Sequence, residues 1–241
     1  MNAIWILTKK EIKSYFDSLI AYILLILFLG FSGFFTWLYG NDIFLVGQAS
    51  LNVFFSWSFW TLFFFIPGIT MRTVAEEMHS GTIEILSTKA ISNMQIISAK
   101  FLAAWMLVLI ALLLTLPYYI TVSRLGDVDH GAIIGGYLGL LLISGTYISI
   151  GIFASSISRN QIVAFLLTLF IALFFQLIFD LIARNMTGGM AAFFNFISLN
   201  SHFGSISRGV IDFRDIFYFF SMIFSGLLLA NFMLSKKSLI D

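Results

Sequence analysis

FFSWSFWTLFFFIPGITMRTVAEEMHSGTIEILSTKAISNMQIISAK, residues 54–100, changes character twice. Phe54–Met71 carries no charge and is built mainly of Phe, Trp, Leu and Ile. A helix needs about 20 such residues to cross a hydrocarbon core about 30 Å thick. A single Asp, Lys or Arg at mid-membrane costs roughly 2.5–3.5 kcal/mol on the insertion scale. Charges therefore mark boundaries, and Phe54–Met71 reads as a span. Arg72–Lys100 is too polar to cross and too helical in pattern to be a plain linker. A second apolar run then opens at Ala99.

The same rule, worked outward, divides the whole chain. Hydrophobic residues make up 60% of the 241 and charged residues only 10%, against roughly 25% charged in soluble domains. Spans are expected near Leu19–Tyr39, Phe54–Met71, Ala99–Val122, Ile133–Ile157, Ile162–Ala183 and Ile216–Leu234. The fold class is all-α: one polytopic membrane domain, residues 1–241, with six transmembrane helices. With both termini inside, Lys9, Lys10, Lys13, Arg72, Lys89, Lys100, Arg159, Lys236 and Lys237 lie on the cytoplasmic side. Arg124, Arg184, Arg208 and Arg214 lie on the other, which satisfies the positive-inside bias. The apolar run after Lys13 is span-length without a small-residue cleavage site, so it reads as a retained first helix.

Three segments are not spans. Residues 2–18 mix Ile4, Trp5, Ile12, Tyr15 and Phe16 with Lys9, Lys10, Glu11, Lys13 and Asp17. This suits an amphipathic helix in the inner interface, its lysines toward lipid headgroups; the other reading is an extension of the first span. Between Arg184 and Arg208 the sequence is charge-free but polar and Gly-broken. Its middle, Met190–Ile197, suits a short interfacial or re-entrant helix, with a seventh span as the alternative. Ser155–Asn160 reads as a tight polar turn. In the fourth span Gly131, Gly135 and Gly139 recur at four-residue steps. Such spacing admits a close neighbour, within the protomer or across a subunit interface. Pro67 and Pro117 permit kinks, and Asp180 and Arg184 are placed to pair.

The connection Arg72–Lys100 carries the strongest functional signal. Arg72–His79 continues the second helix into water, and Gly81 offers the left-handed conformation that ends or bends a helix. Thr82–Thr88 can form a short second helix, and Ser92 with Gln95 resembles a capping box opening the third span. The resulting cytoplasmic hairpin presents Glu76, Glu77 and Glu84 on a face that Arg72 and Lys89 cannot neutralise. It is either a docking surface or an ordinary solvated loop.

Chemistry of the chain's own is absent from the sequence. There is no Cys, and no Gly-Lys dipeptide from which a phosphate-binding loop could be built. No H-E-x-x-H pair occurs, and His79, His130 and His202 all fall outside the spans. The net charge of +1 offers nothing to nucleic acid. The expectation is a non-enzyme without catalytic residues, cofactor or metal, drawing energy from a soluble partner.

Ala75-Glu76-Glu77-Met78-His79-Ser80-Gly81-Thr82-Ile83-Glu84-Ile85-Leu86 resembles the cytoplasmic hairpin of type-2 ABC transporter permeases. Those proteins are membrane subunits of ABC exporters. The Glu-Glu, Ser-Gly-Thr and Glu84 positions match; Ala90 follows Lys89 where the family usually has Pro. Leu199–Phe203 with Ser207–Asp212 is similar to the branch associated with bacterial gliding motility. The resemblance implies a permease of the bacterial inner membrane. It implies as partners an ABC ATP-binding subunit, a second permease chain, the same or related, and membrane lipid. Glu76, Glu77, Gly81, Thr82 and Glu84 would form a coupling helix docked on the ATPase. His202, Arg208 and Asp212 would belong to an outer exit region. The competing classes are an ATP-independent channel or carrier and a non-transporting scaffold of a motility machine.

Overall fold

The computed structural model describes residues 3–39, 47–81 and 91–237, and these are helical with no strand. Helix α1 is Ala3–Asp17, α2 Ile20–Trp37, α3 Asn52–Thr70 and α4 Ala75–His79. Then follow α5 Asn93–Leu113, α6 Leu116–Leu125, α7 His130–Ile157 and α8 Gln161–Leu173. A π-helical turn, Phe174–Ile178, joins α8 to α9 (Phe179–Asn185); α10 is Gly188–Ile197, α11 Leu199–Ser207 and α12 Phe213–Lys237. Six stretches are long and apolar enough to cross a membrane: α2, α3–α4, α5–α6, α7, α8–α9 and α12. This is the expected six-span architecture.

α7 is the axis of the bundle. Of its most apolar 18 residues 83% are buried, against 22% in α8–α9 and 28% in α2, so the latter two form the rim. Small residues let α7 occupy the centre. A Cβ on Gly151 would lie 2.0 Å from Thr70 Oγ1 of α3, one on Gly145 2.8 Å from Ile223 of α12, and one on Gly139 3.1 Å from Phe203 of α11. Of the two readings of the glycine stripe, packing within the protomer is the one these contacts fulfil.

α1 is a helix of its own. The chain breaks at Leu19, whose φ of +59° is left-handed, a conformation that costs a non-glycine residue about 1–2 kcal/mol. Thr8 and Tyr15 are buried while Lys9, Lys10 and Lys13 stay exposed. The Thr8 hydroxyl reaches the carbonyls of Ile4 (2.8 Å) and of Ala99 in α5 (3.4 Å). The amphipathic reading is the one observed.

Three local expectations change and one is met. The third span starts at Asn93, ahead of Ala99, because the Ser92–Gln95 capping box does form and opens the helix in the polar stretch. The kink expected at Pro117 is present as a break near the far end of that span, with Pro117 in the first turn of α6. Tyr137 Oη takes up the break by donating to the Thr115 carbonyl (3.2 Å). Ser155 and Ser156 belong to α7 and are buried, so the polar turn narrows to Ser158–Asn160. Between the fifth and sixth spans two short helices stand where one was expected. At ten residues α10 is about 15 Å long, half of what a span requires.

Candidate functional site

One end of the bundle gathers α1, α4, the start of α5 and the end of α7; the other gathers α10 and α11. The segment expected from the sequence to act as a coupling helix lies at the α1 end. α4 carries Glu76 and Glu77, and Gly81 follows with φ +70°, the left-handed turn read from the sequence. Glu76 is exposed. Thr82 and Glu84 lie outside the described residues.

Two side chains from elsewhere fix α4 in place. Lys100 is 3% exposed, and its ammonium lies 2.7 Å from Glu77 Oε1 and 3.2 Å from Glu11 Oε1. By sequence Lys100 reads as a boundary charge at the foot of the third span; in the structure it is the buried centre of an ion triad joining α1, α4 and α5. Glu77 accordingly faces inward, neutralised by Lys100, and of these two acids Glu76 is the one that keeps to the solvent side. Charge-assisted bonds of this kind are roughly twice as strong as neutral ones. Burial, and after it the carboxylates of Glu11 and Glu77, raises the pKa of the nearby Tyr15 phenol above its ordinary value, so its hydroxyl remains a donor.

The second anchor is Ser155. The Val74 and Ala75 N–H groups donate to its Oγ (3.1 and 2.9 Å), and its hydroxyl donates to the Met71 carbonyl (3.1 Å). The first donors of α4 have no partner within their own helix, and a serine from α7 satisfies two of them. Replacing Ser155 by alanine will leave two buried N–H groups unbonded, each costing about 1–3 kcal/mol. Faster amide exchange at Val74 and Ala75, with a lowered thermal midpoint, is the expected result; unchanged exchange would refute the anchoring role.

At the α11 end the three sequence-picked residues have separate tasks. His202 is 5% exposed. Its Nδ1 is 2.6 Å from Asp215 Oδ1, its Nε2 2.9 Å from the Phe196 carbonyl, and its ring stacks on Tyr218 at 3.9 Å. Tyr218 Oη donates to the Ile197 carbonyl. His202 thus ties α10, α11 and α12 together. Asp212 caps α12, accepting from Arg214 N–H (3.0 Å). Arg208 is exposed and lines a cavity of about 420 Å³ with Asn52, Phe55 and Asp129.

A second cavity, of about 310 Å³, shares Ser56 and Phe203 with the first and runs on between α3 and the fifth span. Trp60 and Phe59 wall one side, and Gln176, Asp180 and Asn200 supply polar groups. Asp180 pairs with Arg184 (2.8 Å), as expected, and also accepts from Asn200 (3.2 Å). Gln176 escaped the sequence reading. It is 2% exposed in the π-helical turn, and Tyr147 Oη donates to its Oε1 (2.6 Å). The signal was there, an amide deep in an apolar run where polar groups are costly. Among the described residues no three His, Asp or Glu side chains gather as a metal site.

The bundle thus carries a short helix anchored by Lys100 and Ser155 at one end and a partly polar, aromatic-walled pair of cavities at the other. A comparison with curated proteins returns no match. Residues 5–230, from α1 well into the sixth span, match the sequence model of the ABC-2 family transporter proteins. That match covers nearly the whole chain, which therefore belongs to the ABC-2 family of transporter membrane proteins.

Proposed function

We propose that the chain is the membrane permease subunit of an ABC exporter, driven by a separate ATP-binding subunit that docks on the α4 hairpin. The α1 end then faces the cytoplasm of a bacterial inner membrane, both termini inside. The carrying observation is mechanical. α4 is pinned to α1 and α5 through Lys100 and to α7 through Ser155, so a push on the hairpin moves three elements of the bundle as one. Glu76, with Glu84 beyond it in sequence, supplies the outward negative charge for the partner; Glu77 positions the lever, and Gly81 gives the turn, with Thr82 next in sequence. A second permease chain completes the pathway along the rim, where most residues of α2 and α8–α9 are not buried within the protomer. Arg208 lies at its outward mouth, with His202 and Asp212 holding the surrounding helices. The link to gliding motility or secretion rests on the Leu199–Phe203 and Ser207–Asp212 segments.

The decisive experiment reverses charge where it does not disturb the bundle. Glu76→Lys with Glu84→Lys, leaving Glu77 intact, is expected to lower co-purification of the ATP-binding subunit from native membranes by about ten-fold, the equivalent of about 1.4 kcal/mol. In detergent without added phospholipid the thermal midpoint of the permease itself should not move. Undiminished co-purification and nucleotide-dependent transport would overturn docking at this face. Transport by the purified chain without nucleotide would establish the channel or carrier reading instead.

A further inference from the structure

A third cavity, of about 300 Å³, lies between α1 and the feet of α2, α3 and α5. That volume sits at the lower bound of small-molecule sites, about 300–1,000 Å³. Ile20, the first residue of α2, and Ile69, near the end of α3, line it. It therefore lies at the depth where hydrocarbon gives way to headgroups, under an amphipathic helix.

Its ionised lining balances. Lys10, Arg72 and Lys100 face Glu11, Glu76 and Glu77. Lys100 is taken up by Glu11 and Glu77. Lys10, Arg72 and Glu76 form no ion pair among the described residues. Tyr15 lines the same cavity; it is 7% exposed, and its hydroxyl has no hydrogen-bond partner among the described residues. A buried hydroxyl without a partner costs roughly 1–3 kcal/mol by mutational data, and such a group calls for an explanation. Its donor is available, since the phenol keeps its proton.

We propose that this cavity holds the headgroup of a phosphoethanolamine-bearing phospholipid, its phosphate on Lys10, Arg72 and the Tyr15 hydroxyl and its primary ammonium on Glu76. An ion of either sign alone would leave the balanced lining with an uncompensated charge. Two cations and a phenol donor suit the phosphate oxygens. A primary ammonium offers three donors to carboxylates, whereas a quaternary choline offers none. The lipid would join α1 to α4 across the cavity, a third tie beside Lys100 and Ser155. The inference does not depend on ATP coupling and is read on the chain alone.

The test uses the full chain, purified in detergent and equilibrated with equal amounts of phosphatidylethanolamine, phosphatidylglycerol and phosphatidylcholine of identical acyl chains. Lipid retained after washing is counted by native mass spectrometry. Phosphatidylethanolamine should be retained about ten-fold over either competitor, a difference of about 1.4 kcal/mol. Glu76→Gln, which removes the carboxylate that takes the ammonium, should abolish the preference. Arg72→Gln should lower retention of all three lipids, since each carries the phosphate, and Tyr15→Phe, which keeps the ring and so the packing, should lower it several-fold with little change in thermal midpoint. Retention of phosphatidylglycerol equal to or above phosphatidylethanolamine would overturn the proposal. So would an unaltered preference in Glu76→Gln, or unaltered retention in both Arg72→Gln and Tyr15→Phe. Displacement of the lipid by soluble O-phosphoethanolamine would assign the cavity to a free zwitterion and overturn it as a lipid site.

Discussion

Exchanging Glu11 and Glu77 together for glutamine will destabilise the protein by about 3–5 kcal/mol, the range seen when a buried ion loses its counter-charges. The reason is the asymmetry of the triad. Lys100 is 3% exposed, whereas Glu11 and Glu77 are each about one-fifth exposed. Without both carboxylates the ammonium is left in a site closed to water. Lys100→Met removes the cation instead, and the two carboxylates, which already touch solvent, can turn outward; this loss will be the smaller. Either glutamate alone should also cost less, because one counter-charge remains. The triple variant, all three replaced by neutral side chains, should recover most of the stability, since a buried ion group is often no better than a packed apolar one. At about 2–4 °C per kcal/mol for a chain of 150–250 residues, the double glutamine variant should melt about 6–20 °C below the wild type in the same detergent. A loss under 2 °C, or a triple variant no better than the double, would show that the triad does not hold α1, α4 and α5 together. The same variant should lower ATPase co-purification even though Glu76 is untouched, which separates positioning from contact.

The six spans were legible because the rule that reveals them is local. Charge-free runs of about 20 residues have no other stable home, so composition sufficed. The Ser92–Gln95 box, the Gly81 turn and the Asp180–Arg184 pair were legible for the same reason; each is complete within five residues. What escaped the sequence is non-local. Lys100 meets Glu11 across 89 positions and Ser155 meets Ala75 across 80. A lysine at the foot of a span looks alike whether it snorkels to water or is enclosed by a neighbouring helix. Glu76 and Glu77 are adjacent on one helix, and only the packing of α1 against α5 separates the outward charge from the inward one. α10 and α11 fall between these cases. Their polarity ruled out a span, but the Ser198 cap that divides them, accepting from Ser201 N–H at 3.4 Å, is a weak signal amid the other polar residues there.

Gly135→Ala is the most severe single-methyl change expected in the bundle. A Cβ there would lie 2.1 Å from the Ile206 carbonyl oxygen and 3.2 Å from Gly209 Cα. Both are backbone atoms, so no rotamer relieves the clash, and α11 as a whole must retreat. It has little room to do so. His202 binds it to Asp215 and Phe196, and Gly209, at φ +85°, already lies against the Gly131 and Ala132 backbone. Overpacking typically costs about 1–3 kcal/mol, and with backbone on the receiving side the upper end applies. Gly131→Ala, four residues away on the same stripe, meets nothing nearer than Asp129 Oδ1 at 3.2 Å and should be nearly silent. Gly30→Ala in α2 meets nothing within 4 Å and should be neutral or slightly stabilising, since alanine is favoured over glycine in helices by about 1 kcal/mol. The contrast discriminates between the two roles a small-residue stripe can have. Serving a subunit interface, the stripe would make Gly135→Ala reduce the mass of the purified assembly while each protomer kept its thermal midpoint. Packing α11 onto α7 within one chain, it makes the midpoint fall by about 6–12 °C and leaves the assembly size unchanged in the fraction still folded. The carbonyl of Ile206 also sits one turn from the cavity that Arg208 lines. A variant that folds with α11 displaced should therefore lose transport more steeply than it loses stability.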